Sequence, residues 1–497
     1  MAATSAHTHG GSARCLRPRW AILMCMGVLV AVQVLVTVVG LSHGGYMFRR
    51  MIDTNAELEA DLLHLNYLND LCLHENNSII PWTYNNPKEV RTAHLLSKDA
   101  PLADLLAELS RCPEVDILLP DHLHGHGYCE DAMVYVKFLH TRSLPLWVFD
   151  LELTLDGRRK TYFDLCPDSA ILFLNHFWEG LPTRPTFPEN RTILLMPNVE
   201  MYELTREHYH QVDVVLAKTQ DAYDRITSWY RGSSVPSRAS RSSSVLRYAR
   251  EGNPRHARVW LTQHTSSDPT ALARAQAKTS PSTFGSIAPK NFDTLRIFHA
   301  NGHSWQKNTP KILDCWNERP DLPMLHVYSK DELSNQTYWT HFGSKQPENL
   351  EYHLGEDIDP AEFGKLMAEA SVILCPSTME GYVRLLLCAR AAGALVLTTN
   401  ASPMNEFVDA TSGILIEASE RPTNGKVLMG NGTEWNIEPR AICAGMDEIL
   451  AMTPRERQSM AEEGRRRYFD QLRFFRTQMN DLREWLRRRR HSHHPQN

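Results

Sequence analysis

A chain of 497 residues exceeds one ordinary hydrophobic core, and about 150 residues per domain implies two or three folding units. With 42% hydrophobic and 22% charged residues the composition is globular rather than disordered, and a formal charge of −5 excludes a general attraction to nucleic acid.

Taken in chain order, residues 1–19 form a short polar tail carrying Arg14, Arg17 and Arg19. Trp20 to Leu41 follow without a charge, long enough to cross a hydrocarbon layer of about 30 Å as a helix. A cleaved signal peptide is the other reading, but its apolar stretch runs only ~7–15 residues and no small-x-small cleavage site follows. The arginines outnumber Arg49 and Arg50 by one, so the positive-inside rule predicts a single-pass type II protein with a cytosolic N-terminus. Everything beyond about residue 45 would then be lumenal, in the Golgi or endoplasmic reticulum. There Asn76, Asn190, Asn335 and Asn431 are candidate glycan acceptors, while Asn400, ending an apolar strand, is expected to be buried. The eight cysteines past the anchor lack metal-ligand spacing, and their pairing is not legible.

Residues 42–109 read as a stem and helical lead-in, with Leu58, Leu62, Leu65 and Cys72 at helical spacing, either a plain stem helix or one that pairs with a copy of itself as a homodimer. Residues 110–285 read as a first Rossmann-like unit. Its predicted strands are Val115–Leu119, Leu146–Phe149, Ile171–Leu174, Ile193–Met196, Val212–Ala217 and Val259–Thr262, with a helix at Ala132–His140 and a Ser/Arg-rich flexible insertion at 232–256. Thr265 to Asn291 reads as the interdomain linker, since helix and strand signals both lapse there. Residues 292–450 form a second α/β series, with strands at Thr294–His299, Leu325–Tyr328, Leu350–Leu354, Ser371–Cys375 and Ala394–Thr399. Thr453 to Glu456 has a capping-box layout that launches a charged helix over 453–490, with the arginine run after Trp485 read as a solvated tail.

The chemistry-bearing stretch is "CPSTMEGYVRLLLCARAAG", Cys375 to Gly393. A carboxylate at a strand end, Glu380, can accept hydrogen bonds from two sugar hydroxyls, while the helix beginning near Val383 points free N–H groups and the positive end of its dipole at a diphosphate. Gly381 permits close approach of backbone to ligand and Gly393 caps the helix. A generic crossover with a surface glutamate is the bland alternative.

Pro376, Ser377, Glu380, Gly381, Tyr382, Gly393, Pro403 and Glu406 together resemble the signature of the retaining, group 1 (family 4-like) glycosyltransferases of GT-B fold. The resemblance implies two Rossmann-like domains facing a cleft, the acceptor on the first and a UDP- or GDP-sugar donor on the second, with no cofactor and no metal. By the same resemblance, the loop "HANGHSWQKNT" carries donor contacts at Gly302, His303 and Lys307. His303 replaces the usual arginine, and Cys388 stands where a second glutamate would hold the ribose. A thiol accepts hydrogen bonds poorly and an imidazole is a weaker diphosphate clamp than a guanidinium, so both changes weaken donor binding. Arg384 at the helix start is placed to supply the missing charge. His176, past a strand of the first unit, either faces the reacting sugar or hydrogen-bonds within the core. Gly125 and Gly127 form a glycine loop whose amides could meet phosphate or acceptor, and His122, His124 and His126 read as loop polar groups.

Asp357 and Asp359 spell a metal-binding Asp-x-Asp, but Asp359 opens a helix and reads as its cap. The expected activity is therefore sugar transfer to a hydroxyl of a glycan, glycoprotein or lipid. The alternatives are a degenerate relative that binds glycans or partners without catalysis, and a nucleotide-dependent oxidoreductase, which lacks a full Gly-x-Gly-x-x-Gly.

Overall fold

The computed structural model describes residues 56–493 apart from 76, 85–94, 124–126, 156, 202, 233–256, 346, 356 and 422–433. The expected membrane span at 20–41, Gly125, His124, His126, the insertion after Gly232 and the acceptors Asn76 and Asn431 lie outside the described residues. Among those described, no helix is long and apolar enough to cross a membrane. Residues 61–497 form one compact unit; of the other, residues 1–60, only a helical segment at 56–60 is described.

Within the larger unit the first sheet comprises β1 (Ser78–Pro81), β2 (Leu96–Ser97), β3 (Val115–Leu118), β4 (Arg142–Leu144), β5 (Ala170–Leu174), β6 (Ile193–Met196), β7 (Val214–Ala217) and β8 (Arg258–Leu261). Their order is β8-β7-β6-β5-β3-β4-β1-β2, parallel from β8 to β4 and antiparallel beyond. Apolar runs such as "ILLM" are buried throughout because helices cover both faces of a parallel sheet. Leu146–Phe149, expected as a strand, is instead a short 3-10 turn following Pro145. The pairing falls on the more polar Arg142–Leu144, whose Arg142 is anchored to the buried Asp116 at 2.9 Å.

The second sheet comprises β9 (Ile297–Gly302), β10 (Leu325–Ser329), β11 (Leu350–Leu354), β12 (Val372–Cys375), β13 (Leu395–Thr399) and β14 (Ile414–Ile416). All are parallel, in the order β11-β10-β9-β12-β13-β14. Order reverses between β9 and β12, the switch point at which ligands bind in open α/β sheets.

Three expectations about connections need correction. The helix through 61–74 is no free stem: Leu62, Leu65 and Cys72 are buried, Cys72 is disulfide-bonded to Cys129, and Asn66 donates to the carbonyl of Asp268 at 2.7 Å. Its apolar side chains therefore pack within this chain. The supposed linker contains a helix at Pro269–Thr279, started by the Asp268 side chain accepting from the Thr270 N–H and by proline at its first turn. It meets the helix Pro360–Glu369 so closely that a Cβ on Gly364 would lie 2.1 Å from the Pro269 carbonyl oxygen. The terminal helix runs from Pro454 to His493 behind the expected Thr453/Glu456 box, and its arginines are not a solvated tail. Arg487 pairs with Glu114 and Arg489 with Asp213, at 2.7 and 2.8 Å.

Two more disulfides, Cys112–Cys166 and Cys315–Cys443, staple the first and second lobes respectively, and Cys375 and Cys388 are free and buried. Asn400 is exposed rather than buried, since β13 ends one residue earlier and the chain turns outward.

Candidate functional site

β12 ends at Cys375 and leads into the turn that carries Glu380; the next helix, Arg384–Ala392, closes on Gly393 in the left-handed conformation, as its sequence predicts. Glu380 is held from two sides. Ser377 Oγ donates to its Oε1 at 2.6 Å, and the Lys307 ammonium, from the loop after β9, forms an ion pair with the same oxygen. Two residues 73 positions apart are thus brought together at the switch point. Gly302 ends β9 and His303 opens that loop, both exposed, and His303 lies close enough to Asp357 to help lower its carboxyl after Lys330. Asp359 is a helix cap, accepting from Ala361 and Glu362 at 2.8 and 3.3 Å.

The first lobe meets this turn with residues that spacing alone did not single out. Glu200, four residues past β6, lies against Gly381: a Cβ there would sit 1.8 Å from a Glu200 carboxylate oxygen. Glycine is required by that approach. Burial, together with the Glu380 charge, pushes the Glu200 carboxyl up to about 7 despite Lys218, and its Oε2 is buried without a hydrogen-bond partner. Tyr382 is buried, its ring 5.2 Å from the Lys218 ammonium and edge-on to His264 at 4.4 Å. Lys218 and His264 both bond Asp131, at 3.1 and 2.9 Å. Burial alone would raise the Asp131 carboxyl; these two partners overrule it and hold the group well below the usual carboxylate range.

Arg384 does not sit free to receive a diphosphate. Its guanidinium pairs with Glu130, a buried side chain of the helix Tyr128–Phe138, whose Oε1 also accepts from Ser267 N–H and Oγ at 2.9 Å. Gly127 starts that helix at φ +86°, and the Arg384 guanidinium passes 3.2 Å from where its Cβ would be, so the glycine serves this contact. The Arg384 N–H turns back to the Tyr382 carbonyl at 2.9 Å, which removes one donor from the helix start at Val383.

Cys388 is buried with its Sγ 3.9 Å from the Ser267 carbonyl oxygen, and burial raises the thiol. Glu406 is likewise engaged, accepting the N–H groups of Gln220 and Asp221 at 2.7 and 2.8 Å, the first turn of the helix Gln220–Gly232 in the opposite lobe. His176 lies half-buried, its ring 4.0 Å from that of Phe177 and bonded to Asn175 at 3.2 Å; burial lowers its basicity.

The lobes are therefore drawn together at this gap. Beside Glu380, the space among Lys307, Ser377, Leu385, Thr398 and Met404 of the second lobe is too small to hold a water molecule.

The described residues thus form two largely parallel α/β sheets, with the terminal helix crossing from the second back onto the first. No protein-family model matches the chain, and no curated protein matches its sequence. Solved structures that overlap it include the α,α-trehalose-6-phosphate synthase of Burkholderia multivorans, with 14% identity, 67% of this chain and 73% of that one covered, and a TM-score of 0.45. The sucrose-phosphate synthase of Thermosynechococcus elongatus has 14% identity, 76% and 99% coverage and a TM-score of 0.47. An E. coli trehalose-6-phosphate protein bound with UDP-2-fluoro glucose has 13% identity, 64% and 73% coverage and a TM-score of 0.43. At that distance no activity passes from them to this chain.

Proposed function

We propose that the chain is a glycosyltransferase that moves a sugar from a UDP- or GDP-sugar to a hydroxyl of a glycan, glycoprotein or lipid acceptor, with retention and without a metal ion. The observation that carries this reading is the Lys307–Glu380–Ser377 cluster at the switch point of the second sheet, opposite Glu200 of the first lobe. When the lobes part, Glu380 is released to accept hydrogen bonds from the donor sugar, and Lys307 turns to the diphosphate, whose departing charge it neutralises. Reclosure excludes water that would otherwise hydrolyse the donor. His176 stands on the acceptor side. Three disulfides suit an oxidising lumen behind an anchor at residues 20–41, in the Golgi or endoplasmic reticulum.

A second reading, a glycan- or partner-binding protein without catalysis, is favoured by one specific finding: Glu130, Glu200 and Glu406 fill or bridge the gap, and Cys388 and Arg384 are committed to packing and an ion pair. A screen of nucleotide release with UDP- and GDP-sugars separates the two. Saturable release by the wild type that falls at least about 100-fold in Glu380→Gln supports transfer. Absence of release with every donor supports the binding protein.

A further inference from the structure

β10 and β11 lie parallel at one edge of the second sheet, three strands removed from β12 at the outermost position, and their register sets His326 beside Glu351 and Tyr328 beside His353. Side chains alternate along a strand, so His326, Tyr328, Glu351 and His353 share one face. His326 Nδ1 lies 2.7 Å from Glu351 Oε2, and His353 Nε2 lies 3.9 Å from the same oxygen. One ligand atom from each of the three falls within 4.8 Å of the others. The His353 ring is stacked flat on Tyr328, centroids 4.2 Å apart and planes 1° from parallel, which fixes its plane. We propose that His326, Glu351 and His353 form a binding site for a divalent transition-metal ion of the zinc type, separate from the gap between the lobes.

Donors about 2.1 Å from a shared tetrahedral centre are ~3.4 Å apart, so His326 and Glu351 must part slightly and His353 must close in, movements that side-chain torsions supply. Two imidazoles and one carboxylate leave a fourth position for water, the open arrangement of zinc sites with three protein ligands. Ligation needs neutral imidazole. The nearby Arg296 guanidinium repels a cation, but its charge is engaged by Glu369 Oε2 at 2.6 Å. The three side chains are 14%, 44% and 27% exposed, so an ion reaches them from solvent without unfolding the strand pair.

The test is a zinc titration of the metal-stripped full chain against a chromophoric chelator, with cobalt substitution as a spectroscopic readout. His7, His9, His491, His493 and His494 offer weak binding elsewhere, so the quantity read is the difference between wild type and variant. The site predicts a tight equivalent that is lost in both His353→Ala and Glu351→Gln. It also predicts a visible cobalt band lost with it, and a zinc-induced rise in melting temperature present only in the wild type. Melting of the metal-free variants at the wild-type temperature shows that they fold. If His326→Ala, His353→Ala and the wild type bind zinc alike, or the wild type binds none tightly, the proposal is overturned.

Discussion

Arg384 and Glu130 make the most direct residue-level prediction. Removing the guanidinium leaves a buried carboxylate facing only Ser267, so Arg384→Ala should lower the unfolding free energy by about 2–3 kcal/mol, discounted for the half-exposed arginine. Adding Glu130→Gln should recover most of that loss, a coupling readable in a double-mutant cycle from denaturant melts. Additive losses would show that the pair does not interact. At Glu200 the prediction concerns pH. Its carboxyl is raised in the folded chain to about 7 from an ordinary 4.5, so the neutral form is favoured by folding. The stabilisation is fully present below the unfolded value and is lost as pH rises through about 7. Melting temperatures at about pH 5 and about pH 8 should therefore fall more steeply in wild type than in Glu200→Gln, and equal slopes would contradict the assignment. Glu380 and Gly381 could be singled out because both lie in one local motif, and Lys307 only through the family resemblance. Glu200 could not, because "MPNVEMYE" carries no periodic signal and its partner is 181 positions away in the other lobe.

At the scale of elements, helix ends carry the closure. Glu406, expected to contact the donor, caps the first turn of Gln220–Gly232 across the gap, where two charge-assisted bonds meet the positive end of the dipole. Glu406→Ala should cost about 1–2 kcal/mol by chemical denaturation and loosen the lobes, with proteolysis near residue 220 as the sensitive readout. An unchanged melt and cleavage pattern would count against the cap. The apolar strands of both sheets could be read because buried parallel strands are continuous runs, whereas β4 could not, its "RSL" being paired through a buried salt bridge rather than by hydrophobicity. The helix at Pro269–Thr279 was not legible, although Asp268-Pro269-Thr270 is a recognisable start, because its polar, alanine-rich sequence carries little apolar periodicity.

For the whole molecule, the terminal helix joins what the gap separates. From the second lobe it reaches back so that Tyr468 Oη donates to the Ser266 carbonyl at 2.7 Å, Gln471 donates to that of His264 at 2.7 Å, and Arg487 and Arg489 pair with Glu114 and Asp213, just before β3 and β7 of the first sheet. Truncation after residue 486 should weaken the first lobe's anchorage by about 1–2 kcal/mol without unfolding the second, seen as faster amide exchange confined to the region of Glu114 and Asp213. Uniform exchange changes would argue against a clamp. The sequence predicted this helix from its capping box and amphipathic pattern; that it binds both lobes was invisible, because exposed arginines read as solvated until their acidic partners are placed opposite them.

The central claim is that Lys307 and Glu380, now paired, separate to admit a nucleotide sugar. Calorimetric titration of the wild type and of Lys307→Ala with UDP and GDP tests it most directly. The account predicts saturable heat with one of the two nucleotides in the wild type and its loss in the variant. No binding of either nucleotide by the wild type, or equal binding by both proteins, would contradict it.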